Sequence, residues 1–237
     1  MRVPQYSIQR MRLAIIVPVY NEAATIAEIV GRLRAVPLDK EILVVDDGST
    51  DGTWEALAPM KGGEVRVLRH ERNRGKGAAI RTALAAVTAP AVVIQDADLE
   101  YQPEELPGLL APIAAAQADV VYGSRFKGTL EGMRFANYLA NKVLAWTATI
   151  FFGQRITDEA TCYKLFRTSV IRSVPLVSER FEFCPEVTAR LRRRGIRIHE
   201  LPITYRGRTE AQGKKIRLAD AWEAFFTLVR WRLARKA

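Results

Sequence analysis

The run Val93-Ile94-Gln95-Asp96-Ala97-Asp98 takes an apolar strand straight into two carboxylates one residue apart. Residues i and i+2 of a strand point to the same side, so Asp96 and Asp98 leave the strand end together. Such a pair suits a hard divalent cation, Mg2+ or Mn2+, that bridges to substrate phosphates. Aspartates also mark ordinary turns, so the reading depends on what else shares that edge. Gly75-Lys76-Gly77 offers backbone N–H groups ahead of a helix, where an anion is favoured; it is neither a P-loop nor a dinucleotide fingerprint. Asp46 and Asp47 could accept hydrogen bonds from a nucleobase or ribose, or close a turn.

These residues need elements to hold them. Leu13 to Val19, Glu41 to Val45, Val65 to Leu68, Ala91 to Ile94 and Asp119 to Tyr122 are short apolar runs of the kind found in buried parallel strands. Helical stretches separate them. One is expected from Glu22, capped by Asn21 and carrying Ile26, Ile29, Val30 and Leu33. Asp51 caps a short one reaching Met60, a third carries Ile80, Leu84 and Val87, and Pro103-Glu104-Glu105 opens a fourth. The alternation predicts an α/β fold with a mostly parallel, doubly wound sheet and helices on both faces. Ligands bind beyond the carboxyl ends of such strands. Tyr20-Asn21-Glu22, Asp46-Asp47, residues 73–77 and Asp96 to Asp98 all fall at those ends. After residue 123 the pattern gives a long helix over 135–152, a strand over 161–166, a helix over 185–194, a strand over 196–203 and an amphipathic helix over 217–235.

The chain of 237 residues carries 36 Lys and Arg against 26 Asp and Glu, a formal charge of +10. That excess implies an anionic partner: nucleic acid, a phosphorylated substrate or an acidic lipid surface. The basic residues are spread through helices without a nucleic-acid-binding motif, and the Asp96–Asp98 edge would repel phosphates without a metal, so no nucleic-acid partner is expected. No run of roughly 18 uncharged apolar residues exists; the longest, 135–152, is broken by Asn137, Asn141 and Lys142. The first residues lack the apolar core of a signal peptide. Two widely spaced cysteines, Cys162 and Cys184, suggest a reducing cytosol.

Taken in order, Val17-Pro18-Val19-Tyr20-Asn21-Glu22, Asp46-Asp47-Gly48-Ser49-Thr50-Asp51-Gly52, Asn73 to Gly77, Asp96-Ala97-Asp98 and Gly123-Ser124-Arg125 resemble the inverting family 2 glycosyltransferases of the GT-A fold. More narrowly, the chain is similar to dolichyl- and polyprenyl-phosphate hexose synthases. The resemblance implies one GT-A domain, with a nucleotide-sugar half at 10–125, an acceptor half at 126–215 and a basic helix at 216–237. It implies metal-dependent transfer of a hexose from a nucleoside diphosphate sugar, of GDP-mannose or UDP-glucose type, to polyprenyl phosphate. Pro18, Tyr20, Glu22, Asp46 and Asp47 would line the nucleoside pocket. Asp96 would sit near ribose and metal, and Asp98 would ligate the metal. Glu100 stands where the mannose synthases carry a metal-ligating Gln. Arg125, Arg134 and either Arg206 or Arg208 would meet the lipid phosphate.

An ionised phosphate attacks without a base. A hydroxyl acceptor would need one, and Asp158 is then the candidate; otherwise it is a loop Asp. Thr161-Cys162-Tyr163 departs from the Ser-Gly-Phe of the mannose synthases, which puts mannose specificity in doubt; Cys162 reads as a buried small residue. In the last helix Leu218, Trp222, Phe225, Phe226, Val229 and Leu233 form a stripe beside Arg230, Arg232, Arg235 and Lys236. It suits a membrane interface or docking on the protein's own core. The expected setting is the cytoplasm, with peripheral attachment to a membrane surface or membrane partner protein. A rival of another class is an inactive module binding nucleotide sugars or an anionic polymer.

Overall fold

Every residue of Leu13–Val19 (β1) is buried except Pro18, and all of Lys40–Asp46 (β2) is buried, so neither strand alternates. Helices cover both faces of these strands, which is why the sequence reads as continuous apolar runs. The computed structural model describes residues 11–208 and 218–234. Ile26–Ala35 (α1) follows β1; Thr53–Leu57 (α2) and a 3-10 turn at Ala58–Met60 follow β2. Then come Val65–Arg69 (β3), Lys76–Ala86 (α3), Ala91–Ile94 (β4), a 3-10 turn at Pro103–Glu105, Leu106–Ala114 (α4) and Val120–Ser124 (β5). The second half holds Leu130–Glu131 (β6), Phe135–Phe152 (α5), Lys164–Arg167 (β7), Thr168–Ser173 (α6), Phe183–Arg193 (α7), His199–Pro202 (β8), Tyr205–Arg206 (β9) and Leu218–Leu233 (α8).

The main sheet has seven strands in the order β3-β2-β1-β4-β7-β5-β8. All neighbours are parallel except β7, which runs antiparallel to both β4 and β5. The sheet is therefore mostly parallel, as the alternation predicts. An antiparallel strand begins at the edge where its neighbours end. Residues 158–163, which lead into β7, are thus delivered to the carboxyl ends of β4 and β5. A separate two-stranded pair, β6 with β9, sits beside that edge.

Three boundaries differ from the sequence reading. The first helix starts at Ile26, not Glu22, because Asn21 adopts a left-handed backbone (φ 54°) and does not cap it. The Asn21 N–H donates to the Ser49 hydroxyl (2.9 Å) and its side-chain oxygen accepts from the Thr50 N–H (2.9 Å). This knits the end of β1 to the loop after β2. The strand expected over 161–166 is Lys164–Arg167, and that expected over 196–203 is His199–Pro202. Helix α5 ends at Gly153, left-handed at φ 66°, whose N–H bonds the Thr149 carbonyl. Helix α8 packs on α5 and α7. Ala224 and Leu228 face inward, while Trp222, Phe226 and Leu233 stay exposed. Core docking and an outward apolar face thus occur on one helix. Arg235 and Lys236 lie outside the described residues.

Candidate active site

At the end of β2, Asp46 is fully buried. One oxygen accepts the Ser49 N–H (3.0 Å), closing the turn, and the other faces Arg69 Nε at 3.3 Å. Arg69 and Lys61 both lie over the Trp54 ring, at 4.5 and 4.0 Å. Asp47 is also buried. Its carboxylate accepts the N–H groups of Arg74 (3.0 Å) and Gly75 (2.7 Å) and contacts His70 Nδ1 (2.6 Å). The second aspartate is therefore the anchor of the glycine loop. Both carboxylates expected against the nucleoside are engaged within the protein, in the turn-forming role. His70 carried no sequence signal, because a lone histidine has none. Pro18 and Tyr20 are half-buried at the end of β1.

The loop that Asp47 holds carries Lys76 to the end of β4, where Nζ meets Asp96 at 2.5 Å. Burial works against the Lys76 charge, but Asp96 outweighs it and holds the ammonium above its ordinary range. Asp98, half-buried, accepts the Glu100 N–H (3.1 Å) and stands 3.6 Å from Arg208. Burial first, then the charges of Asp96 and Glu100, push the Asp98 carboxyl up to about 7 against the pull of Arg208. Two adjacent carboxylates in this state are a donor set that fits a hard dication sharing its coordination with substrate oxygens.

Glu100, the third expected ligand, is engaged within the protein. Its side chain accepts the Tyr205 hydroxyl (2.5 Å) and the Arg208 N–H (2.8 Å), and its carbonyl accepts the Arg206 N–H (2.9 Å). Among the described residues no three His, Cys, Asp or Glu side chains are grouped to hold a metal unaided. The sequence placed Glu100 with Asp96 and Asp98 as a metal ligand; in the structure its side chain is turned toward β9. Arg208 donates to both oxygens of Glu22, at 2.9 and 3.1 Å. Arg206 is exposed and pairs with Glu131 at 3.2 Å. Arg134 is exposed at the position before α5.

Arg125 follows β5 and is buried against Asp158. Asp158 accepts from Arg125 N (2.9 Å), Nε (2.7 Å) and Nη2 (2.7 Å). Burial opposes the Arg125 charge and Asp158 more than restores it, so the guanidinium stays firmly protonated. Both oxygens of Asp158 are occupied, and the side chain is fully buried. It is the counter-ion of Arg125. Glu200 orders the turn that carries it, accepting the N–H groups of Thr157 (2.8 Å) and Asp158 (3.1 Å) and the Thr157 hydroxyl (3.0 Å). Sequence reasoning missed Glu200, and also Tyr101 and Tyr163, whose rings meet at 4.9 Å with a tilt of 49°. Cys162 is buried, as the sequence reading expects, with its thiol pushed well up by burial.

A cavity of about 970 Å3, measured with its open mouth, joins these groups. Lys76, Asp96, Asp98 and Arg125 form its polar floor; Leu144 and Asn137 of α5 and Ala221 and Ala224 of α8 form its upper wall. The cavity thus runs from the Asp96–Asp98 edge to the helices with outward apolar faces. On α5 those outward residues are Phe135, Tyr138, Leu139, Val143, Trp146 and Ile150. Among the described residues no helix is long and apolar enough to cross a membrane.

Residues 14–174 match the family model described as "Glycosyl transferase family 2". The undecaprenyl-phosphate mannosyltransferase of Micrococcus luteus is 33% identical over 240 residues, covering 95% of this chain and 96% of that protein. The dolichol-phosphate mannosyltransferase of Pyrococcus furiosus is 27% identical over 232 residues; the alignment covers 93% of this chain but only 64% of that longer protein. Among solved structures, glucosyl-3-phosphoglycerate synthase of Mycobacterium tuberculosis with Mg2+ and UDP aligns with a TM-score of 0.74 at 19% identity, over 98% of this chain and 83% of that one. The same enzyme is also solved with Mn2+ and UDP. A model match this long, with a full-length relative at that identity, shows that the chain belongs to glycosyl transferase family 2 and is a glycosyltransferase.

Proposed function

We propose that this enzyme transfers a hexose from a nucleoside diphosphate sugar to polyprenyl phosphate, with inversion, at a membrane surface. The observation that carries the reading is the single cavity that joins the Asp96–Asp98 edge to buried Arg125 beneath a wall of α5 and α8. On this reading the described residues of 10–125 make up the donor half and those of 126–215 the acceptor half. The names of the Micrococcus and Pyrococcus relatives supply the acceptor class.

Asp98, with Asp96, would hold the divalent metal, Mg2+ or Mn2+, for which the Mycobacterium enzyme is a precedent. Bound there, the metal offsets charge on the departing diphosphate. Lys76 adds a fixed cation at the same edge, close to where that charge grows. Arg125 lines the cavity, and Asp158 fixes its guanidinium, whose remaining edge would meet the acceptor phosphate. Its geometry is set before the acceptor arrives, so little freedom is lost on binding. No residue need remove a proton, because the attacking phosphate oxygen is already ionised. That agrees with Asp158 being wholly engaged by Arg125.

The exposed residues of α5 and α8 line two neighbouring helices, with Arg230 and Arg232 beside them. An apolar face edged by basic groups fits the surface of an anionic bilayer, which would bring the lipid phosphate to the cavity mouth from the cytoplasmic side. The test is a panel of GDP-mannose, UDP-glucose and UDP-N-acetylglucosamine with a short polyprenyl phosphate. Released nucleotide and lipid-linked sugar should appear together for one donor. Transfer to hydroxyl compounds with none to the lipid phosphate would overturn the proposal.

A further inference from the structure

The end of the acceptor half folds back onto the donor edge. Residues 205–208 are fastened to Glu100 at three points: the Tyr205 hydroxyl and the Arg208 N–H on its carboxylate, and the Arg206 N–H on its carbonyl. Tyr101 and Tyr205 add a backbone bridge. Glu100 is buried, so these bonds are shielded from water. The fastening decides where the two late arginines go. Arg206 turns outward to exposed Glu131. Arg208 is carried inward to Glu22 and to within 3.6 Å of Asp98.

Two cations thus bracket the aspartate pair, Lys76 on Asp96 and Arg208 on Asp98. They differ from Arg125, whose charge is met one-to-one by Asp158 in a closed bidentate pair. The Arg208 guanidinium is shared between two carboxylates, and its buried Nε makes no hydrogen bond among the described residues. A group placed there, with a donor to spare and adjustable partners, is suited to an anion that arrives between Glu22 and Asp98. The resemblance pointed one late arginine at the acceptor phosphate; the geometry points elsewhere.

We infer that Arg208 is a ligand of the donor's diphosphate and that Glu100 is the residue that positions it. The inference rests on the reading of this edge as a nucleotide-sugar site. When a cation and diphosphate occupy the edge, Asp98 turns to the cation and the Arg208 fork moves to phosphate oxygens, a geometry it matches bidentately.

The test is calorimetry on the full chain with GDP, GMP, UDP and UMP in the presence of Mn2+. Arg208→Ala should weaken the preferred diphosphate about tenfold or more, and the matching monophosphate by no more than about twofold to threefold. Retained monophosphate binding shows that the variant is folded. Arg206→Ala should leave both affinities unchanged. Glu100→Ala should weaken diphosphate binding too, but the double variant should be no weaker than Arg208→Ala alone. A purely structural loss at Glu100 would instead add to that of Arg208. Equal losses for mono- and diphosphate would overturn the inference, as would an unchanged diphosphate affinity with a raised requirement for polyprenyl phosphate. Failure of the wild-type chain to bind either diphosphate would overturn the donor-site reading itself.

Discussion

Asp158→Asn separates two roles that one carboxylate could play. In the structure Asp158 takes three N–H donors from Arg125, two on one oxygen and one on the other. Asparagine keeps the shape, removes the charge and turns one acceptor into a donor. Its amide must therefore face at least one Arg125 N–H with a hydrogen of its own. Arg125 is only 5% exposed and could not recover its solvation from water. Breaking a buried pair by removing one partner costs about 3–5 kcal/mol. Glu200 still holds the backbone of the turn, which favours the lower end. At about 2–4 °C per kcal/mol for a chain of this size, 3 kcal/mol lowers the melting temperature by roughly 6–12 °C. A loosened Arg125 should also raise KM for polyprenyl phosphate about tenfold, with a smaller change in kcat. Scanning calorimetry and steady-state kinetics at varied acceptor read both quantities. A variant with unchanged melting temperature and acceptor KM, but kcat lowered about 10²–10⁴-fold, would refute the argument and make Asp158 a general base.

Three further outcomes are expected. Gly48→Ala should destabilise the protein by more than the 1–2 kcal/mol or so of a left-handed alanine, because φ is 73° and the new Cβ would lie 2.6 Å from the Arg72 carbonyl carbon; a melting temperature within 2 °C or so of wild type would contradict this. Binding of Mn2+ without nucleotide, followed by paramagnetic line broadening, should weaken about tenfold per pH unit below 7, because the metal needs the Asp98 carboxylate and its proton leaves only at about 7; a flat profile between pH 6 and 8 would remove Asp98 from the metal site. Replacing Trp146 and Trp222 together by serine should lower sedimentation with anionic vesicles by on the order of 2 kcal/mol of binding, since they are 68% and 66% exposed on the two outward faces; unchanged sedimentation, with nucleotide binding intact, would place the membrane contact elsewhere.

The strands of the donor half could be read from the chain because a strand buried on both faces needs an unbroken apolar run. Leu13–Val19, residues 42–45 and Ala91–Ile94 satisfy that locally. The carboxyl-end position of Asp96, Asp98 and Lys76 followed from the same alternation, since a parallel sheet sends all its loops of one type to one edge. Helix α5 was legible over its whole length, since a mostly apolar run that long is too long for a strand. What the chain could not show by itself is which polar groups meet across it. Arg125 and Asp158 lie 33 residues apart and become partners only because β7 enters the sheet antiparallel. Glu100 reads as a ligand beside Asp98 by spacing, yet its side chain goes to Tyr205 and Arg208, more than a hundred residues away. Asn21 reads as a helix cap and instead ties two loops together. In each case a short polar side chain had a local role and a distant partner open to it. Burial decided between them, because a polar group taken out of water is held by whichever partner the packed sheet brings within hydrogen-bond reach.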